Sequence, residues 1–136
     1  MDVDYFGEYF PESAYAAGFI GRDYGVLRYS GKDALDLLNR MSTNALVKLP
    51  DNHGIETVLT SAKGRIVDVV FVIRQDQKFL MFTSPGNNIN VLEWIDRYTI
   101  MEDAVVQDMT VKSEIISVMG PDGPKILSLV RDIDVE

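Results

Sequence analysis

The sequence predicts an α+β fold in which an antiparallel meander sheet has helices packed on one of its faces. Two observations support this prediction. The spacing of apolar residues changes from a helical to a strand period and back, and the links between strand-like runs are only a few residues long. The chain has 136 residues, 46% of them apolar and 25% charged, which is typical of one globular domain. Because neither a repeat nor a linker is visible, residues 1–136 are expected to form a single domain.

The first third of the chain contains two predicted helices and one strand. Residues 11–17 are predicted to form a short helix, because Pro is favoured at a first helical position and Gly18 supplies a C-terminal cap. Residues 26–29 are predicted to form a strand. A second helix is predicted over residues 32–41, with Ser30 as its N-cap. Its apolar residues recur on one helix face: Ala34, Leu37, Leu38 and Met41.

Three β-rich runs occupy the centre of the sequence, at residues 55–61, 65–74 and 79–83. The links between them are so short that neighbouring strands have to be antiparallel, which predicts a meander. Gly64 suits the left-handed backbone conformation that closes a short hairpin loop.

The second half of the chain is predicted to contain a helix, two strands and a final helix. Asn87 or Asn88 can cap a helix that ends near residue 98 and places on one face Val91, Leu92, Ile95 and Tyr98. Strands are predicted over residues 105–111 and 114–119, and a short helix over residues 125–130. The turn between the last two elements lacks the Gly-Lys-Ser/Thr ending of a phosphate-binding loop.

Composition excludes several classes of function. Thirteen basic and twenty-one acidic residues give a net charge of −8 without a basic patch, so nucleic acid is not an expected partner. The absence of cysteine excludes disulfides, thiolate metal sites and a cysteine nucleophile. The longest apolar run, residues 69–73, is too short for a membrane span, and the N-terminus is acidic, so we expect a cytoplasmic protein with no membrane partner.

Two single residues are candidates for chemistry. Asp68 interrupts an apolar run, and on a strand it would share a face with Ile66, Val70 and Val72, so its burial would require hydrogen-bond partners. It is either a functional acid or base, or a structural group that accepts backbone donors. The only histidine, His53, has no second ligand at helical or hairpin spacing, and it is predicted to be a surface-loop residue rather than a metal ligand.

Four segments, in order, resemble the N-terminal half of the folate-binding aminomethyltransferase family, which includes the glycine-cleavage T-protein and its YgfZ-like relatives. These segments are residues 26–34, 37–44, 60–68 and 96–108. The resemblance implies the first of two similar α+β halves that surround a folate pocket. Members of the family are more than twice this long, so the chain is expected to be an N-terminal folate-binding subdomain from a longer protein.

The resemblance also implies the site residues. Thr43 and Asn44 correspond to residues that border the folate pocket, and Asp68 and Val69 correspond to a Gly-Gly-x-x-Asp-Asp motif whose second Asp approaches folate. Asp68 matches the first Asp and is the catalytic candidate. Val69 stands in the second position, where a valine can take no part in proton transfer, so the T-protein mechanism is put in question.

Three functions remain open at this point. The first is a tetrahydrofolate-binding module of a YgfZ-like scaffold or regulator that assists iron-sulfur protein maintenance. The second is the N-terminal segment of an aminomethyltransferase that transfers a one-carbon unit to tetrahydrofolate, and the third is a non-catalytic interaction domain. Without the C-terminal part of the parent protein, we expect weak or absent tetrahydrofolate binding and self-association through an exposed apolar face.

Overall fold

The computed structural model describes residues 18–124 and residue 127. The chain divides into two compact units, one formed by Met1–Arg22 with Ile115–Glu136 and the other by Asp23–Glu114. The predicted helix over residues 11–17 lies outside the described residues, and so does the helix over residues 125–130 apart from residue 127. The single domain over residues 1–136 stays a prediction.

Seven strands and two α-helices make up the described part of the chain. In chain order they are β1 (Gly18–Arg22), β2 (Gly25–Ser30), α1 (Ala34–Met41), β3 (Gly54–Thr60), β4 (Ile66–Gln75), β5 (Lys78–Thr83), α2 (Asn88–Tyr98), β6 (Val105–Asp108) and β7 (Ile115–Met119). Two short 3₁₀ turns, Leu46–Lys48 and Thr110–Lys112, complete the backbone.

The smaller unit contains the antiparallel pair of β1 and β7, with Gly18 opposite Met119 and Arg22 opposite Ile115. The Arg22 Nε–H donates to the Ser117 Oγ at 3.0 Å, and these two residues are 95 positions apart in the sequence. Strand β7 confirms the strand predicted over residues 114–119. Strand β1 was not predicted, because its short glycine-containing sequence has no clear period and β7, its partner among the described residues, is distant in sequence.

The larger unit contains a five-stranded, wholly antiparallel sheet with the strand order β3-β4-β5-β2-β6. Strands β3, β4 and β5 are neighbours in sequence and in space, which confirms the predicted meander. Gly64 closes the first hairpin with φ +71°, as expected for a left-handed turn position. Gln75 pairs with Lys78 across the second hairpin, which leaves a turn of only Asp76 and Gln77.

Both helices of the larger unit pack on one face of this sheet, as predicted. Each helix has a single apolar stripe, which in α1 contains Ala34, Leu37, Leu38 and Met41 and in α2 contains Val91, Trp94 and Ile95. These stripes form one core with buried side chains from four strands: Leu27, Tyr29, Leu59, Val70, Val72, Phe79 and Met81. The core therefore lies between the helices and one side of the sheet.

Strand β6 is shorter than the predicted strand over residues 105–111. It ends at Asp108, whose carboxylate accepts the Thr110 backbone N–H at 2.9 Å and so turns the chain into the Thr110–Lys112 turn. The same carboxylate accepts the Asn88 Nδ2 at 2.8 Å from the start of α2. The Thr110 side chain, the Thr110 N–H and the Asn88 amide together lower the pKa of Asp108.

A close backbone contact joins the start of α1 to the segment before β6. The Asp33 N–H donates to the Asp103 carbonyl at 3.2 Å, and the Asp103 N–H donates to the Asp33 Oδ2 at 2.8 Å. Gly31 lies against this contact with φ +132°, and a Cβ there would collide with the Asp103 carbonyl group and the Ala104 Cα. Only glycine fits this position without displacing backbone.

The Gly31 contact predicts a large stability loss for Gly31→Ala. Backbone strain and a collision with backbone atoms both oppose the folded state, and we expect the free energy of unfolding to fall by about 3 kcal/mol. Gly64→Ala is the matched control, because Gly64 also has positive φ but open space around its Cα. It should cost about 1 kcal/mol. Urea denaturation measures both, and equal losses would contradict the steric argument.

The lowered pKa of Asp108 predicts a loss of stability in acid. A carboxylate whose pKa is lower in the folded state stabilises the fold above its unfolded pKa of about 3.9, and this stabilisation disappears as the pH falls through the folded value. The free energy of unfolding of Asp108→Asn should therefore fall less between pH 5 and pH 2.5 than that of the wild type. Denaturant titrations at both pH values test this, and parallel losses would show that Asp108 is not responsible.

Candidate functional site

Asp68 lies on the helix-covered face of the sheet and is only 5% exposed. It stands opposite Leu59 of β3, but the next pair is Thr60 with Ile66, so the register shifts by one residue and Val67 has no partner. This β-bulge explains a departure from the expected pattern. Ile66 was expected to share the face of Asp68, Val70 and Val72, and it is instead 69% exposed while those three residues are buried.

The Asp68 carboxylate accepts three hydrogen bonds. Its Oδ1 accepts the Ser84 Oγ–H at 2.6 Å and the Val69 N–H at 2.8 Å, and its Oδ2 accepts the Ser84 N–H at 3.0 Å. Both carboxylate oxygens are thus bound by one residue, Ser84, which follows directly on β5. The expected need of a buried carboxylate for hydrogen-bond partners is met.

Val69 projects from the opposite face of the sheet and is 44% exposed. It pairs with Val58 of β3, and Phe71, two residues along the same strand, pairs with Phe82 of β5. The two phenyl rings lie 6.4 Å apart between centroids. Because cross-strand partners and alternate residues share a face, these four side chains form one apolar surface, called the open-face patch: Val58, Val69, Phe71 and Phe82.

Phe71 also covers Gly54, the first residue of β3. A Cβ at Gly54 would collide with the Phe71 ring, so the absence of a side chain there makes room for the ring. Phe71 is 43% exposed. Gly54 therefore forms part of the support on which the Phe71 ring of the patch lies.

Thr43 and Asn44 run along the outer edge of β3. Ser42 bridges to Leu59, and the Thr43 N–H donates to the Val58 carbonyl at 3.0 Å. The Asn44 Oδ1 accepts the hydroxyl of Thr57, a buried residue of β3, at 2.9 Å. This segment borders one edge of β3 and β4, which carries Asp68, borders the other edge, so the two backbones are separated by two strand spacings, about 10 Å.

The four residues predicted to border a pocket therefore do not converge on one point. Asp68 and Val69 are on opposite faces, and Thr43 and Asn44 lie at the sheet edge beyond β3. The structure instead gathers polar side chains at the end of the sheet where β4 begins and β5 ends. There the Asn87 Nδ2 donates to the Val67 carbonyl at 3.3 Å, beside the bond of Ser84 to Asp68.

Sequence reasoning missed Ser84. A weak signal was present, since Ser84 opens a Ser-Pro-Gly-Asn turn directly after an apolar strand. Its partner is 16 residues away in sequence, so the pairing depends on the hairpin register.

His53 is exposed, as expected for a surface-loop residue, and its ring Nδ1 lies 2.9 Å from the Asp51 carbonyl oxygen. No group of three potential metal ligands occurs among the residues that the structure describes. Over the same residues, no helix has the length and apolar character needed to cross a membrane.

Known proteins match this chain over most of its length. The family model described as the GCVT N-terminal domain matches residues 22–136. The sarcosine oxidase subunit alpha of Corynebacterium sp. (strain U-96) is 32% identical over 117 residues, which cover 82% of this chain and 12% of that protein. The aminomethyltransferase of Staphylococcus carnosus (strain TM300) is 28% identical over 112 residues, which cover 82% of this chain and 31% of that protein.

The fold also matches a solved structure. The glycine cleavage system aminomethyltransferase T from Bartonella henselae superposes with a TM-score of 0.77 at 14% identity, over 88% of this chain and 33% of that one. The chain thus spans about a third or less of the relatives it matches. The resemblance to folate-binding aminomethyltransferases is confirmed at the level of fold and family, and the chain belongs to the GCVT N-terminal domain family.

Proposed function

We propose that the chain is the N-terminal part of a one-carbon transfer protein of the aminomethyltransferase type, and that its open-face patch forms one wall of a tetrahydrofolate site. The family and the aminomethyltransferase name of a relative support the activity class. The observation that supports the site is the apolar, aromatic patch on the sheet face opposite the helices. Patches of this kind mark binding surfaces.

The patch fits the chemistry of tetrahydrofolate. The cofactor contains a bicyclic pterin ring and a benzoyl ring, which need a broad apolar surface with a few polar groups at its edge. Two cross-strand pairs, Val58 with Val69 and Phe71 with Phe82, supply such a surface. When bound, tetrahydrofolate would accept the one-carbon unit.

The four side chains of the patch are apolar, and Glu56, the exposed cross-strand partner of Phe71, brings a carboxylate to the same face of the sheet. The carboxylate of Asp68 is on the other face and accepts hydrogen bonds from Ser84 and from the Val69 N–H, so it holds structure rather than exchanging protons with a ligand on the patch. Val69 adds only apolar contact. The four residues of the open-face patch would therefore contribute ligand contact and exclusion of water from one side of the ligand.

A second candidate is the YgfZ-like, folate-dependent scaffold or regulator, the first of the three functions that the sequence left open. The aminomethyltransferase and sarcosine oxidase relatives favour the transfer protein. Val69 favours the scaffold, because that role needs folate binding without a carboxylate at this position. An interaction domain without ligand would differ from both by failing to bind reduced folate.

Titration of the chain with 5-formyltetrahydrofolate tests the proposed site. We expect amide chemical shifts to change at Val58, Val69, Phe71, Phe82 and Ser84, with affinity on the order of millimolar because one wall leaves the ligand half solvated. Phe71→Ala should reduce the shift changes at a fixed ligand concentration about fivefold, since a lost aromatic contact is worth about 1 kcal/mol.

Tyr98→Ala is the matched control for Phe71→Ala. Tyr98 is an aromatic residue with a similar exposure of 37%, but it lies at the end of α2 in the helix layer. Its removal should leave the titration unchanged. Shift changes confined to the helix layer would refute the open face as the site, and micromolar binding by a strict monomer would show that this chain contains a complete site.

The chain alone is expected to show no turnover of an aminomethylated carrier with tetrahydrofolate, and Val69→Asp should not create any. The variant adds a carboxylate to the patch but no second wall to orient the reacting groups. A carrier turnover assay of both proteins measures this. Turnover by the wild type that disappears in Asp68→Ala would show that Asp68, and not position 69, is the acting carboxylate.

A further inference from the structure

The Ser84 side chain has one hydroxyl proton, which it donates in a hydrogen bond to Asp68. The Ser84 Oγ–H donates to Asp68 Oδ1 at 2.6 Å, and the Ser84 N–H donates to Asp68 Oδ2 at 3.0 Å. The Val69 N–H also donates to Oδ1, so the Asp68 carboxylate is the acceptor in all three of these hydrogen bonds. Its role toward Ser84 is therefore that of acceptor.

This arrangement fixes the hydrogen-bond polarity of Ser84. A hydroxyl group normally acts either as donor or as acceptor, and it rotates to suit its partner. Once the Ser84 proton is directed at Asp68, only the lone pairs of Oγ remain for another partner. A ligand that meets Ser84 then has to present a donor.

The Ser84 hydroxyl lies close to the backbone of Val69, a residue of the open-face patch. The Ser84 Oγ and the Val69 N bond the same atom, Asp68 Oδ1, at 2.6 and 2.8 Å. The hydroxyl is thus close to the Val69 backbone, and Ser84 is half-buried rather than enclosed. The turn that carries it is held by the bond from the Asn87 side chain to the Val67 carbonyl.

We infer that Asp68 is a positioning residue that makes Ser84 Oγ a fixed acceptor for an N–H group of the ligand at the edge of the patch. The inference rests on the proposed function, since it supplies the polar group that an apolar wall needs for specificity. The matching ligand chemistry is a ring amide or amino N–H, which a pterin ring contains. An analogue with only acceptors in that place would leave Ser84 without a donor.

The test uses 5-formyltetrahydrofolate and five forms of the chain: wild type, Ser84→Ala, Ser84→Thr, Asp68→Asn and Asp76→Asn. We expect ligand-induced shift changes on Val69 and Phe71, at a fixed ligand concentration, to fall about fivefold in Ser84→Ala and Asp68→Asn. Ser84→Thr keeps the hydroxyl and should restore them. Asp76→Asn makes the same Asp to Asn change in the turn at the other end of β4 and should behave as wild type.

A second readout separates positioning from folding. Urea denaturation defines conditions in which every form is folded, and all titrations are made there. Unchanged ligand shifts in Ser84→Ala, or a failure of Ser84→Thr to restore them, would overturn the inference while leaving the proposed site standing. The absence of ligand-induced shifts in the wild type would instead overturn the proposed site and this inference with it.

Discussion

The alternation of side chains along β4 is the constraint on which the rest of the structure depends. Asp68 and Val69 are consecutive, so the pleat of the strand places them on opposite faces of the sheet. The first is enclosed among hydrogen-bond donors, and the second joins an apolar surface. A slip of β4 by one residue would exchange these environments, and the buried residues Val70 and Val72 oppose it because they would move to the exposed face.

Local sequence determines most of the fold of the larger unit. The apolar stripe of α1 and the short links of the meander are properties of neighbouring residues, and both could be predicted. The face predicted for α2 shares Val91 and Ile95 with the buried stripe, but Tyr98 is exposed. The end of β6 and the existence of β1 could not be predicted. The end of β6 depends on a hydrogen bond to the Asp108 side chain, and β1 depends on pairing with β7, where Arg22 and Ser117 are 95 positions apart in sequence.

The candidate site was predictable only in part, for a related reason. The burial of Asp68 followed from its place in an apolar run, but its partner Ser84 becomes a neighbour only when β4 and β5 pair. The apolar residues of β4 are also ambiguous in sequence. Val70 and Val72 belong to the core while Val69 and Phe71 do not, and hydrophobicity alone does not separate the two sets.

The bulge at Val67 separates the first hairpin from the rest of β4. Residues beyond it, from Asp68 onward, keep their register through the pairing of Leu59 with Asp68 and Val58 with Val69. A change in the length of the loop around Gly64 can therefore be absorbed where the register already shifts, without rotating the strand. We therefore expect this hairpin to tolerate insertions and deletions, which makes the number of residues from its glycine a poor guide to the face that a later carboxylate occupies.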